Sequence, residues 1–188
     1  MSEAQLDDSG SGLAPASDGW FVVNVRDAQW FTSETADSAK RSSGAECVFE
    51  SQAFEFPQLA VRIHVLEPGE PNGLYHSESQ QEAFLVLSGE CRLLVEGEER
   101  LLRAWDFFHS PAGTAHIFVG AGSGPCVVLM TSPRSDDWHV VFPVSELAAQ
   151  YGAGAAEETD DPREAYGAAA FANSRRERPS YRERLPWA

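Results

Sequence analysis

His76-Ser77-Glu78-Ser79-Gln80-Gln81-Glu82 is answered, forty residues after its first histidine, by Pro111-Ala112-Gly113-Thr114-Ala115-His116. Both stretches lie among short apolar runs of strand length. Residues two apart on a strand point to the same side, so His76 and Glu78 face together. Glu82 keeps that parity if the segment stays extended, and His116 has to arrive from another strand. Two imidazoles with one or two carboxylates suit a single divalent transition metal: Fe, Mn, Ni, Co or Zn. Two histidines and one carboxylate leave positions open for substrate or dioxygen.

Working outward, apolar runs of strand length recur at 47–50, 59–66, 82–88, 91–96, 100–109, 115–119, 126–131 and 138–142. Turn signals separate them: Glu-Pro-Gly-Glu-Pro-Asn-Gly at 67–73, Ser-Gly at 88–89, Glu-Gly at 96–97, Pro-Ala-Gly at 111–113 and Gly-Ala-Gly-Ser-Gly-Pro at 120–125. Many short strands with regular turns predict an all-β fold, an antiparallel β-sandwich or jelly-roll barrel. In 82–88, Phe84 and Val86 share one face while Ala83, Leu85 and Leu87 share the other. A strand with one face in water alternates polar and apolar, so both faces of this one are expected to be covered. One face is assigned to the barrel interior. The other is assigned to a second sheet, the chain's own tail or a second subunit, and a homodimer is the expected assembly.

These residues resemble the cupin superfamily. Its first motif is glycine, His-x-His, three or four residues, Glu, six residues and Gly; here stand Gly69, His76-Ser-Glu78, Glu82 and Gly89. Its second motif ends Pro-x-Gly, two residues, His, matched by Pro111-Ala-Gly113-Thr-Ala-His116. The resemblance covers roughly residues 55–132. It departs at Glu78, where the motif has its second histidine, at Gly69, one residue further out than usual, at Trp105, where the second motif opens on glycine, and at Gly120, where it often closes on asparagine. The resemblance implies metal ligation by His76, Glu82 and His116, with Glu78 as fourth ligand, as partner of a metal-bound water or as general base. It also implies a metal-dependent oxygenase or isomerase acting on a small organic molecule. The alternatives are a metal-free pocket or a non-catalytic module binding a sugar or carboxylate, and a mainly structural oligomer.

Phe84 shares parity with Glu82 and Phe118 with His116, so these two are expected to line the pocket. Tyr75, Trp105, Phe107, Phe108 and Met130 are further candidates. Arg62 and His64 share one face of their strand; on the interior they would suit an anionic substrate, but an outer-face pair near solvent is the favoured reading. His109 and His139 read as loop histidines.

Bulk properties narrow the class. The chain has 188 residues, enough for one sizeable core. A net charge of −15 argues against a phosphate-neutralising nucleic-acid surface and against docking on an anionic membrane. No apolar run reaches the roughly 18–20 residues of a membrane span. Cys47, Cys91 and Cys126 have no metal or redox spacing and read as small buried hydrophobes in a reducing, cytoplasmic setting.

The acidic Ser/Gly/Ala-rich residues 1–19 read as a disordered leader with no secretory signal. Residues 20–143 form the barrel, beginning with a strand at Trp20–Val25, with a polar surface loop at 32–46. Residues 144–188 form a C-terminal extension. In it Ser145 caps a short helix over 146–151 and Asp161-Pro162 starts another. Five of the chain's 14 Lys/Arg fall between Arg175 and Arg184, and Leu185 and Trp187 suggest a docked tail.

Overall fold

Turn chemistry cuts the chain into short strands that pair with antiparallel neighbours. The computed structural model describes residues 1–33, 44–167 and 174–176. With strands numbered along the chain, a seven-stranded sheet runs from β10 (Phe107–Ser110) through β7 (Glu82–Ser88), β12 (Cys126–Pro133), β5 (Leu59–Leu66), β4 (Ala45–Val48) and β3 (Gln29–Ser33) to β14 (Ser174–Arg176). A three-stranded sheet holds β11 (His116–Ala121), β8 (Glu90–Val95) and β9 (Glu98–Arg103). β6 (Ser77–Glu78) pairs with β13 (Val140–Val141), and β1 (Leu6–Asp8) with β2 (Leu13–Pro15). Two short helices follow, α1 (Glu146–Ala149) and α2 (Pro162–Tyr166). The all-β sandwich expected from the sequence is the fold. Among the described residues no helix is long and apolar enough to cross a membrane.

Period-two alternation decides what lies between the sheets. Phe84, Val86 and Val128 from the large sheet meet Cys91, Leu93 and Phe118 from the small one in a buried cluster. This apolar plug fills part of the interior, and burying each such side chain contributes about 1.5–3 kcal/mol. The opposite face of the large sheet carries a second cluster, in which Val23, Val25 and Ala28 pack over Trp30, Cys47, Ile63, Val65 and Val127. The outer face of the small sheet is covered as well: Ala148 and Ala153 sit on Leu94, Ile117 and Val119. Both apolar outer faces are thus roofed by the chain's own flanking segments. Cys47, Cys91 and Cys126 are buried and unbridged.

Several boundaries differ from the sequence reading. Residues 1–19 are not a disordered leader: they carry the β1–β2 hairpin, with Ala4, Ser11 and Ala14 buried and Ala4 N–H donating to Trp20 C=O. Polar composition hid this, because the hairpin rests on small side chains rather than large apolar ones. The stretch 21–25 alternates inward and outward as a strand would, but joins no ladder; the first strand of the large sheet is Gln29–Ser33. The run 100–109 is split by a turn in which Asp106 Oδ2 accepts the Arg103 N–H at 2.9 Å. Ser145 and Asp161 do cap helices, their side chains accepting from Ala148 and Arg163 N–H. Most of the expected loop at 32–46, and the basic tail apart from β14, lie outside the described residues.

Candidate metal centre

His76 and His116 are directly opposite each other. His116 N–H donates to His76 C=O at 2.8 Å and His76 N–H to His116 C=O at 3.2 Å. This backbone pair sets the two rings side by side, centroids 5.4 Å apart. His76 Nδ1 lies 2.7 Å from Leu74 C=O and His116 Nδ1 lies 3.0 Å from Thr114 C=O. A carbonyl oxygen only accepts, so both Nδ1 atoms carry the proton and both Nε2 atoms present lone pairs. Backbone anchoring of the non-ligating nitrogen is the usual support of a metal-binding histidine.

Glu82 enters from β7, where parity with Phe84 and Val86 points it inward. Its Oε2 is buried, lies 3.5 Å from His116 Nε2 and accepts no hydrogen bond among the described residues. Ligand atoms of His76, Glu82 and His116 all fall within 4.8 Å of one another. Burial, reinforced by the negative charge of Glu78, pushes the Glu82 carboxyl up to about 8. Burial, reinforced by neighbouring His76, lowers His116 to about 4 against the pull of the Thr114 carbonyl. An orphaned carboxylate oxygen facing two anchored imidazole lone pairs fits a divalent ion, which would supply the missing partner to all three.

Glu78 stands outside this group. Its Oε1 is 3.9 Å from His76 Nε2, and its Oε2 accepts the indole N–H of Trp138 at 2.8 Å. The β6–β13 pairing, Glu78 opposite Val140, delivers Trp138 to it. Trp138 is a site residue that sequence reading missed; the signal was the apolar run 138–142, read only as one more strand.

All four polar residues border a cavity of about 660 Å³ whose walls include Phe84, Phe118 and Met130. Phe84 and Phe118 stand in the wall of this cavity. Tyr75 instead packs beneath the small sheet, and Trp105 and Phe107 are largely exposed. His109 and His139 are exposed. The favoured reading of Arg62 and His64 is corrected: they face the interior and border the cavity, because Ile63 and Val65 take the outer face against Trp30. Gly120, where the motif often has asparagine, passes so close to the 67–73 turn that a Cβ would lie 2.1 Å from Glu67 C=O.

The sequence profile of the cupin domain matches residues 62–132. That stretch is a cupin domain. Among solved structures, a cupin-superfamily sugar phosphate isomerase from Silicibacter pomeroyi superposes with a TM-score of 0.55 at 21% identity, over 63% of this chain and 79% of that one. The polyketide cyclase RemF from Streptomyces resistomycificus gives 0.51 at 14% identity, over 61% and 80%. A candidate sugar phosphate isomerase from Acidithiobacillus ferrooxidans is 25% identical with a TM-score of 0.48, over 53% of this cupin and 64%, under two thirds, of that chain. The two likenesses above 0.5 establish the cupin fold and leave chemistry to the site. No curated protein matches the chain.

Proposed function

We propose that this cupin is a metal-dependent enzyme that moves a proton on a small organic substrate, an isomerase-type reaction. His76, Glu82 and His116 hold the ion and Glu78 is the base. The observation that carries this is the position of Glu78: it borders the same cavity but stands beside the three-residue group. A divalent ion in such a set, when bound, polarises a substrate oxygen as a Lewis acid. The chain does the rest. Trp138 fixes one Glu78 oxygen and leaves Oε1 to take a proton from the substrate and return it to a neighbouring atom. Phe84 and Phe118 give the site an apolar wall that limits water.

The test is metal analysis of protein purified without chelator, followed by a solvent-deuterium exchange screen over aldoses, ketoses and their phosphates. Close to one equivalent of metal is expected, with exchange abolished in Glu78→Gln while metal content stays. Less than about a tenth of an equivalent, with no binding on titration, would sink the metal reading. A two-His, one-carboxylate set also suits an iron oxygenase. Oxygen consumption by iron-loaded protein, without deuterium exchange, would decide for that chemistry. Ligand stabilisation without any turnover would make the cupin a binding module.

Assembly and location belong to the same proposal. Leu101, Trp105 and Phe107, exposed to 62%, 75% and 64%, support a homodimer joined through the 101–107 segment. Sedimentation as a monomer at micromolar concentration would exclude it. Three buried, unbridged thiols support a reducing compartment, the cytoplasm.

A further inference from the structure

The cavity has a second chemically distinct region, set by sheet geometry. In the large sheet Met130 lies between Arg62 on β5 and Phe84 on β7. Arg62 is therefore two strands from Phe84, about 10 Å across the sheet. His64 is its same-face neighbour on β5. Asn72 hangs over this region from the 67–73 turn, its Oδ1 fixed by the Phe118 N–H at 3.0 Å. That bond turns Asn72 Nδ2 the other way, where its partner among the described residues is Met130 Sδ at 3.9 Å, a weak acceptor. A further cavity of about 460 Å³ continues over β4 and β3 and shares Arg62, His64 and Asn72 with the first.

Two guanidiniums and the Asn72 amide stand here beside the carboxylates of Glu46, Glu50 and Glu55. Arg62 pairs through Nη1 with Glu46 on β4, and both side chains are part-exposed, at 43% and 26%. An ion pair so exposed is worth at most about 1 kcal/mol, so Arg62 can exchange or share its partner cheaply. Arg134 also borders the region but is committed elsewhere: its Nη2 sits 2.7 Å from Oε2 of the buried Glu50. Removing it would strand a buried charge. Burial lowers the His64 pKa; Glu46 opposes the shift and Arg62 adds a smaller push in the same direction as burial.

We propose that this region is an anion subsite, in which Arg62 and the Asn72 amide N–H hold a carboxylate or phosphate carried by the substrate. The inference rests on reading the cavity as the substrate site. It makes the substrate bifunctional: an oxygen-bearing end meets His76, Glu82 and His116, and an anionic end is held against Arg62. Guanidinium forks suit both anions, which the structure treats alike.

Isothermal titration with D-glucose, D-gluconate and D-glucose 6-phosphate tests it, on metal-stripped and on manganese-loaded protein. At least one anion is expected to bind the metal-stripped protein about tenfold tighter than glucose, or about 1.4 kcal/mol. Preference for gluconate alone or for the phosphate alone identifies the anion. Arg62→Gln should bring that ratio to about threefold or less, and Glu46→Gln, which frees Arg62, should raise it by a similar factor. Equal binding of all three, no binding of any to the folded protein, or a preference that survives Arg62→Gln overturns the subsite. Anion preference without metal binding would leave the subsite standing and remove the metal reading; metal binding without anion preference would do the reverse.

Discussion

The indole N–H of Trp138 donates to Glu78 Oε2 across 2.8 Å, joining a half-exposed aromatic to the carboxylate that replaces a motif histidine. Trp138→Phe keeps the ring and loses the donor. Turnover is expected to fall about tenfold with metal content unchanged and with no more than about 1.5–3 kcal/mol lost in stability, the net contribution of a hydrogen bond to a charged group. Unchanged turnover would make Trp138 merely structural.

Removing a ligand separates metal binding from folding. His116→Gln is expected to reduce metal content below about a tenth of an equivalent while circular dichroism still shows a folded sandwich. Glu82→Gln should lose metal too, yet leave the metal-free protein as stable as the parent or more so above pH 8. There the parent has to ionise a carboxyl buried without a hydrogen-bond donor. Denaturant titrations of both variants give the comparison.

The same two groups set a pH dependence for the metal-free protein. Folded Glu82 keeps its proton to about pH 8, whereas the unfolded chain releases it near 4.5, so its contribution to stability falls as pH rises through that window. Folded His116 loses its proton near 4 and the unfolded chain near 6.5, so its contribution rises over that range. The two oppose each other between about 4.5 and 6.5; from 6.5 to 8 only the Glu82 loss remains, up to about 2 kcal/mol. Manganese reverses the trend, since ligation needs the ionised carboxylate and affinity grows until Glu82 is deprotonated. Unfolding at pH 6.5 and 8.5, with and without manganese, reads this directly. Metal-free stability that rises over that interval contradicts it.

Trp105 occupies the left-handed region at φ 75°, where the motif has glycine, and its side chain is 75% exposed. An L-residue there costs about 1–2 kcal/mol, part of which glycine gives back as unfolded-chain entropy. Trp105→Gly should therefore raise stability by roughly 0.5–1 kcal/mol. A lower melting temperature would show that the indole makes a contact worth more than the strain, such as one with a second subunit.

Strands and the candidate ligand cluster were legible because both obey short-range rules. Period two put Glu82, Phe84 and Val86 on one face, and Pro111-Ala112-Gly113 ended in the histidine that pairs with His76. What sequence hid depends on contacts between distant segments. Arg62 and His64 looked outward until Trp30 was seen to claim the face of Ile63 and Val65. Trp138 became a partner of Glu78 only through a two-residue ladder. The first 19 residues lacked apolar bulk, and only their pairing with 20–28 reveals them as ordered.

The roof formed by Val23, Val25 and Ala28 has a practical consequence. The span 62–132 holds the strands that carry the candidate ligands but lacks β3, β4 and everything that covers Ile63, Val65 and Leu94. Expressed alone, it would present two greasy sheets and an unpaired β5 edge to water, the signature of an aggregating fragment. The smallest piece of this gene expected to yield soluble protein is therefore much longer than the stretch that carries its family signature.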